Sequence, residues 1–136
     1  MSFNWKSYLE LAKSLSAAVA DEASLRSAVS RSYYCAFNLA MARAIANSYR
    51  SPNDGSSHDL LWELFGRNNN AACKKLAAVG PRMKRRRVKA DYRAEYHRLS
   101  EEVKDAINDA EECVALIGSL PAHLPADIPR TYSFRP

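Results

Sequence analysis

Residues 96–118 read Tyr-His-Arg-Leu-Ser-Glu-Glu-Val-Lys-Asp-Ala-Ile-Asn-Asp-Ala-Glu-Glu-Cys-Val-Ala-Leu-Ile-Gly. In this stretch Tyr96, Leu99, Val103, Ala106/Ile107, Ala110, Cys113/Val114 and Ile117 recur at intervals of three and four. That is the period of a helix with one apolar face. The stripe holds for about six turns, and Gly118 reads as its stop.

The same spacing recurs upstream. Residues 4–19 place Tyr8, Leu11/Ala12, Leu15 and Ala18/Val19 on one helical face. Asp21 is suited to cap a second helix running to about Ser48, with a stripe of Leu25, Val29, Tyr33, Ala36/Phe37, Ala40 and Ala44. Residues 50–57, Arg-Ser-Pro-Asn-Asp-Gly-Ser-Ser, form a loop dense in turn chemistry. Ser57 is expected to cap a short helix carrying Leu60, Leu61, Leu64 and Phe65, stopped by Gly66. Asn68–Asn70 make a second loop, and Asn70 caps a helix over 71–78. Gly80-Pro81 is expected to end that helix. The reading is an all-α, up-and-down helical bundle of three long helices plus one or two short ones. It occupies residues 1–118. Residues 119–136 hold 4 of the 6 prolines and read as an extended tail, with Tyr132 and Phe134 to dock on the body or on a partner.

Composition agrees with one compact domain. The chain has 136 residues, 47% hydrophobic and 26% charged, with only 4 Gly. It is long enough to fold without a metal or disulfide staple. No run of 18 apolar residues exists, so no membrane partner is expected. The first residues lack the charged-then-apolar order of a signal peptide. Cys35, Cys73 and Cys113 are odd in number and widely spaced, without a Cys-x-x-Cys pair. They are expected to be reduced, buried small hydrophobes of a cytoplasmic protein. No Gly-rich phosphate loop, Ser-His-Asp arrangement or metal-ligand spacing is present, and no cofactor or metal is expected.

Charge is concentrated. The net charge is +5, but residues 81–98 alone carry Arg82, Lys84, Arg85, Arg86, Arg87, Lys89, Arg93 and Arg98 against Asp91 and Glu95. Such a cluster attracts polyanions. Arg82, Lys84, Arg85, Arg86, Lys89 and Arg93 are the candidate nucleic-acid contacts. The alternative is a solvated helix face whose arginines pair with acids elsewhere. Lys84 to Arg87 wrap round more than one helix face and are hard to neutralise together.

The stretch from Arg26 to Ala40, Arg-Ser-Ala-Val-Ser-Arg-Ser-Tyr-Tyr-Cys-Ala-Phe-Asn-Leu-Ala, resembles the signature helix of the HEPN family (higher eukaryotes and prokaryotes nucleotide-binding domain). Small stand-alone prokaryotic members carry Ala-Val-Ser-Arg-Ala-Tyr-Tyr-Ala-x-Phe there. Ser57-His58 before an apolar short helix is a second likeness, and Arg87-Val-Lys-Ala-Asp91-Tyr92 resembles that branch's Arg-x-x-Ala-Asp-Tyr. The resemblance covers roughly residues 5–118. It implies a helical bundle that commonly dimerises and acts on RNA, often within toxin–antitoxin or antiviral systems. A cognate antitoxin protein is then a further partner. Many members are metal-independent ribonucleases with an Arg followed four to six residues later by a His.

Such cleavage needs a base, an acid and a cation at the phosphate. Histidine suits the first two tasks and arginine the third. Arg87 is the candidate phosphate-stabilising residue. At the expected histidine position stands Tyr92. A tyrosine is a poor base near neutral pH, though its hydroxyl can donate to phosphate. His97 follows Arg93 by four, a spacing that puts both on one face if the segment is helical. His58 is an accessory acid, base or phosphate contact, or else a packing residue of its helix. Arg31 neighbours Tyr33 and Tyr34 and is expected to latch onto Asp91, fixing the basic segment, or else to join the phosphate site, with Tyr34 supporting either arrangement. Two readings stay open: a ribonuclease that acts as a homodimer, or a non-catalytic helical module binding a nucleotide, nucleic acid or partner protein through residues 82–98.

Overall fold

The computed structural model describes residues 2–17 and 20–124. Five helices follow one another: α1 (Lys6–Leu15), α2 (Glu22–Ala46), α3 (Ser57–Gly66), α4 (Ala71–Tyr92) and α5 (Leu99–Ser119). Among the described residues there is no strand. Three helices are long and two are short. The third long helix, however, is α4, whereas the N-terminal segment is the short α1. Ala18 and Val19, assigned to the first helix from sequence, lie outside the described residues, as do Tyr132 and Phe134 of the tail.

The helix starts are chemically legible. The Asp21 carboxylate accepts from Ser24 N at 2.7 Å and so caps α2. Asn70 Oδ1 accepts from Ala72 N and Cys73 N and caps α4. Ser57 is the first residue of α3 rather than its cap, and the turn before it is held by Asp54, whose carboxylate accepts from Ser56 N at 2.8 Å. α5 begins at Leu99, with Tyr96 in the connection before it, and passes through Gly118 to Ser119.

Gly80-Pro81 does not end a helix. α4 runs through both for 22 residues, although Pro81 cannot donate a backbone hydrogen bond. The reason is the buried stripe Cys73, Leu76, Val79/Gly80, Met83, Arg87 and Ala90, which keeps helical spacing across the proline. Gly80 is a contact point: a Cβ there would overlap three atoms of the Trp62 indole. Its lack of a side chain lets α3 lie against α4.

α2 is the hub and touches each of the other four helices. The main core gathers Tyr33, Phe37, Leu61, Trp62, Phe65, Leu76 and Met83, and a second cluster joins Ala12, Val29, Leu99 and Val103. Leu120 and Leu124 are buried beyond α5, and the Leu124 carbonyl accepts from Asn47 Nδ2 at 3.4 Å. Cys35, Cys73 and Cys113 are buried free thiols. Burial pushes the Cys35 thiol up to about 11 and Cys113 to about 12. No helix among the described residues is long and apolar enough to cross a membrane.

Candidate active site

Three helices meet at one polar seam in this bundle. α2 supplies Tyr33, Tyr34 and Phe37; Phe37 follows Tyr33 by four and Tyr34 by three, and its ring meets both. α3 supplies His58 in its first turn and, one turn on, Trp62. α4 supplies Arg87 and Asp91, again one turn apart, with Tyr92 at its end.

His58 is held on several sides. Its ring stacks on Phe37 at 4.1 Å between centroids and on Tyr33 at 5.6 Å, and meets the Tyr34 edge at 6.1 Å. Its Nδ1 lies 2.7 Å from the Tyr33 hydroxyl, which accepts from Trp62 Nε1 at 3.3 Å. Burial depresses the His58 pKa below the ordinary 6.5, and the positive charges of Arg87 and Lys84 add to that effect. The imidazole is therefore neutral near pH 7. With its proton on Nδ1, donated to Tyr33 Oη, it presents a basic Nε2. With the proton on Nε2 it presents a donor. Burial raises the Tyr33 hydroxyl far above its usual value, so that group stays protonated.

Arg87 is only 8% exposed. Its guanidinium carbon sits 5.4 Å from the Tyr34 ring centre, 5.8 Å from Tyr33 and 5.9 Å from Tyr92. The one ion pair it makes, to Asp91, is long at 3.5 Å, and its Nε has no hydrogen-bond partner. A buried guanidinium normally finds several acceptors. This one keeps donors available for an added anion. The same Asp91 oxygen, Oδ2, also accepts from Ser30 Oγ at 3.2 Å.

The expected Arg31–Asp91 latch does not form. Arg31 lies over the Tyr8 ring at 4.7 Å, and Asp91 is engaged by Ser30 and Arg87 instead. The fastening of α4 to α2 falls to Arg26, which donates to the carbonyls of Ala90 at 3.1 Å, Arg93 at 2.5 Å and Ala94 at 3.0 Å. These are carbonyls at and just beyond the carboxyl end of α4, where a cation is favoured. The Arg93–His97 pairing also lacks its premise. Residues 93–98 are not helical, and His97 is exposed, with Glu95 at 3.6 Å as its neighbour.

The basic run divides into two sets. Arg82 makes a two-pronged contact with Asp109 at 2.9 and 3.0 Å, and Arg86 bridges Asp109 at 2.6 Å and Glu102 at 3.2 Å. Glu102 also accepts from the Tyr96 hydroxyl. Lys84 pairs with Asp59 at 2.8 Å. These three cations join helices. Arg85, Lys89 and Arg93 make no ion pair among the described residues, and they line a groove of about 360 Å³ with Pro81 and Val88.

Sequence reasoning passed over Trp62, Phe37, Ser30 and Arg26. Trp62 stands one turn after His58, so its place on the same helix face was available from spacing alone. Ser30 and Arg26 carried no such signal, because their partners lie about sixty residues away. Among the described residues no group of His, Cys, Asp and Glu could hold a metal ion.

A model of the HEPN domain matches residues 6–120. No curated protein and no solved structure matches the chain. With the match spanning all five helices and the seam between α2, α3 and α4, the chain belongs to the HEPN domain family, which is associated with RNase and nucleotide-related functions.

Proposed function

We propose that the chain is a metal-independent endoribonuclease whose proton-handling residue is His58, working beside Arg87. The observation that carries this reading is the shared seam: a buried arginine with an unpartnered Nε faces the same tyrosine ring as an imidazole kept neutral partly by that arginine's charge. Arg87 holds the non-bridging phosphate oxygens and offsets the charge that develops on them. His58 Nε2 takes the proton of the 2′-hydroxyl, whose oxygen attacks phosphorus. The 5′-oxygen leaves with a proton from water, and His58 returns its own to solvent. The RNA is split into 2′,3′-cyclic-phosphate and 5′-hydroxyl ends with no net change in protons. The Tyr92 hydroxyl, at the rim, donates to the phosphate. His97, exposed beyond the helix, takes no part.

Histidine in the first turn of α3 thus does the work that the family pattern gives to the position of Tyr92. A homodimer and a toxin–antitoxin or defence setting, with a cognate antitoxin as partner, complete the reading. The family link supports them, and sedimentation of the purified chain tests the dimer.

The test is cleavage of labelled RNA in EDTA. Wild type should cleave, and the rate should rise with pH through a pKa below 6.5 before levelling. Arg87→Ala should lose about 100-fold or more, His58→Ala a comparable amount, and Tyr92→Phe about tenfold or less. Binding without cleavage would replace the reading with a non-catalytic RNA-binding module, the alternative favoured by tyrosine at position 92.

A further inference from the structure

The exposed face of α4 carries a row of cations that the cleavage chemistry does not use. Arg85 and Lys89 are four residues apart, about 6 Å along the helix, and Arg93 continues their line past its end. All three stand without an ion-pair partner among the described residues, while Arg82, Lys84 and Arg86 are each satisfied by carboxylates. Pro81 and Val88 give the groove between them an apolar floor, and the Lys84–Asp59 pair closes one edge. Tyr92 falls on the same helix face as Arg85 and Lys89. It is 75% exposed, an unusual position for so large a ring. One side of it is turned to the Arg87 guanidinium, and most of the ring is open.

Unpaired cations in a row select a polyanion. An open aromatic ring among them selects one with unstacked bases. A duplex keeps its bases stacked and offers nothing to such a ring, whereas a single strand can lay its phosphates on the cations and a base on the ring. We propose that the outer face of α4 is a single-stranded RNA track. Arg85, Lys89 and Arg93 hold successive phosphates, and Tyr92 stacks a base at the mouth of the His58–Arg87 seam. The track rests on the proposed RNA-cleaving site for its direction but not for its affinity. Only three of the six candidate nucleic-acid contacts then face RNA. Arg82, Lys84 and Arg86 act inside the fold.

The experiment measures fluorescence anisotropy of a labelled oligouridylate of about twelve nucleotides, titrated with the full chain across about 50–200 mM salt. A His58→Ala background prevents cleavage. The triple variant Arg85→Ala/Lys89→Ala/Arg93→Ala should flatten the slope of log K against log salt by about 2, near 0.7 per lost contact on a single strand. Arg82→Ala should leave the slope unchanged. Tyr92→Ala should weaken binding roughly tenfold at unchanged slope, and Tyr92→Phe should restore it. A duplex of equal length should bind at least about tenfold more weakly, for want of the stacking contact. The track is overturned if the triple variant keeps the full slope, if Arg82→Ala flattens it as much, if the duplex binds as tightly, or if the chain does not bind the oligonucleotide at low salt. Cleavage of a dinucleotide, too short to reach the groove, separates the two ideas. The triple variant with His58 intact should cleave it at the wild-type rate. Absence of dinucleotide cleavage by wild type, with binding as described, removes the catalytic reading and leaves the track.

Discussion

Arg87 shows how a single residue can be placed for function at the expense of packing. Several kcal/mol is the usual cost of desolvating such a charge. Against this stand three ring contacts near the outer limit of cation–π distance, each about 0.5–1 kcal/mol, and one long ion pair. The two sides nearly balance, so Arg87→Met should change Tm by no more than about 3 °C while abolishing cleavage. Thermal unfolding followed by circular dichroism checks this. A fall of about 10 °C would mean that Arg87 is chiefly a structural residue. This position also explains what the sequence hid. An arginine at an inward-facing site breaks the apolar stripe, so residues 83–90 read as a surface run of charge although Met83, Arg87 and Ala90 face inward.

At the level of elements, α4 is the part that could not be read. Gly80-Pro81 is ordinarily a strong stop signal, and only the contact with Trp62 reveals why glycine stands there. Intrinsic propensity predicts that Gly80→Ala gains about 1 kcal/mol. The overlap with a buried, rigid indole outweighs that gain, at about 1–3 kcal/mol for an overpacked core. The net expectation is a cost of up to about 2 kcal/mol, a loss of as much as roughly 8 °C in Tm, read in the same melt. By contrast α2 and α5 are legible to within about three residues at their ends, because their stripes are unbroken and Asp21 caps α2. The end of α4 depends on Arg26. Arg26→Ala should release the carbonyls of residues 90, 93 and 94, and amide exchange there should quicken by about tenfold or more. Unchanged protection would show that Ser30–Asp91 alone fastens the helix.

Across the whole molecule, the basic run is both framework and surface. The Arg82–Asp109–Arg86–Glu102 network ties α4 to α5. Burial pushes the Asp109 carboxyl up, but the hydrogen bonds and charges of Arg82 and Arg86 outweigh this and hold it below the ordinary 3.8. A carboxylate with a depressed folded pKa contributes stability above its unfolded pKa and loses it as pH falls through the folded value. Tm should therefore drop on acidification below about pH 4. Asp109→Asn should lower Tm by roughly 5–10 °C near pH 7 and flatten that acid limb. Parallel acid limbs in variant and wild type would place the pH dependence elsewhere. The all-α class and the family could be read from one dimension. The seam could not, because it joins α2, α3 and α4 through contacts whose partners are decades apart in sequence.

In the proposed site His58 and Arg87 act on one anion. The most direct measurement is the NMR pH titration of the His58 ring, alone and with uridine 2′,3′-cyclic phosphate, in wild type and Arg87→Met. In the free protein the His58 pKa should lie below 6.5. The added phosphate should raise it, because an anion beside the ring favours the imidazolium. In Arg87→Met the free value should rise, because a neighbouring positive charge is gone, and the phosphate should no longer shift it. A His58 pKa indifferent both to the phosphate and to the loss of Arg87 would mean that the two residues do not share an anion site.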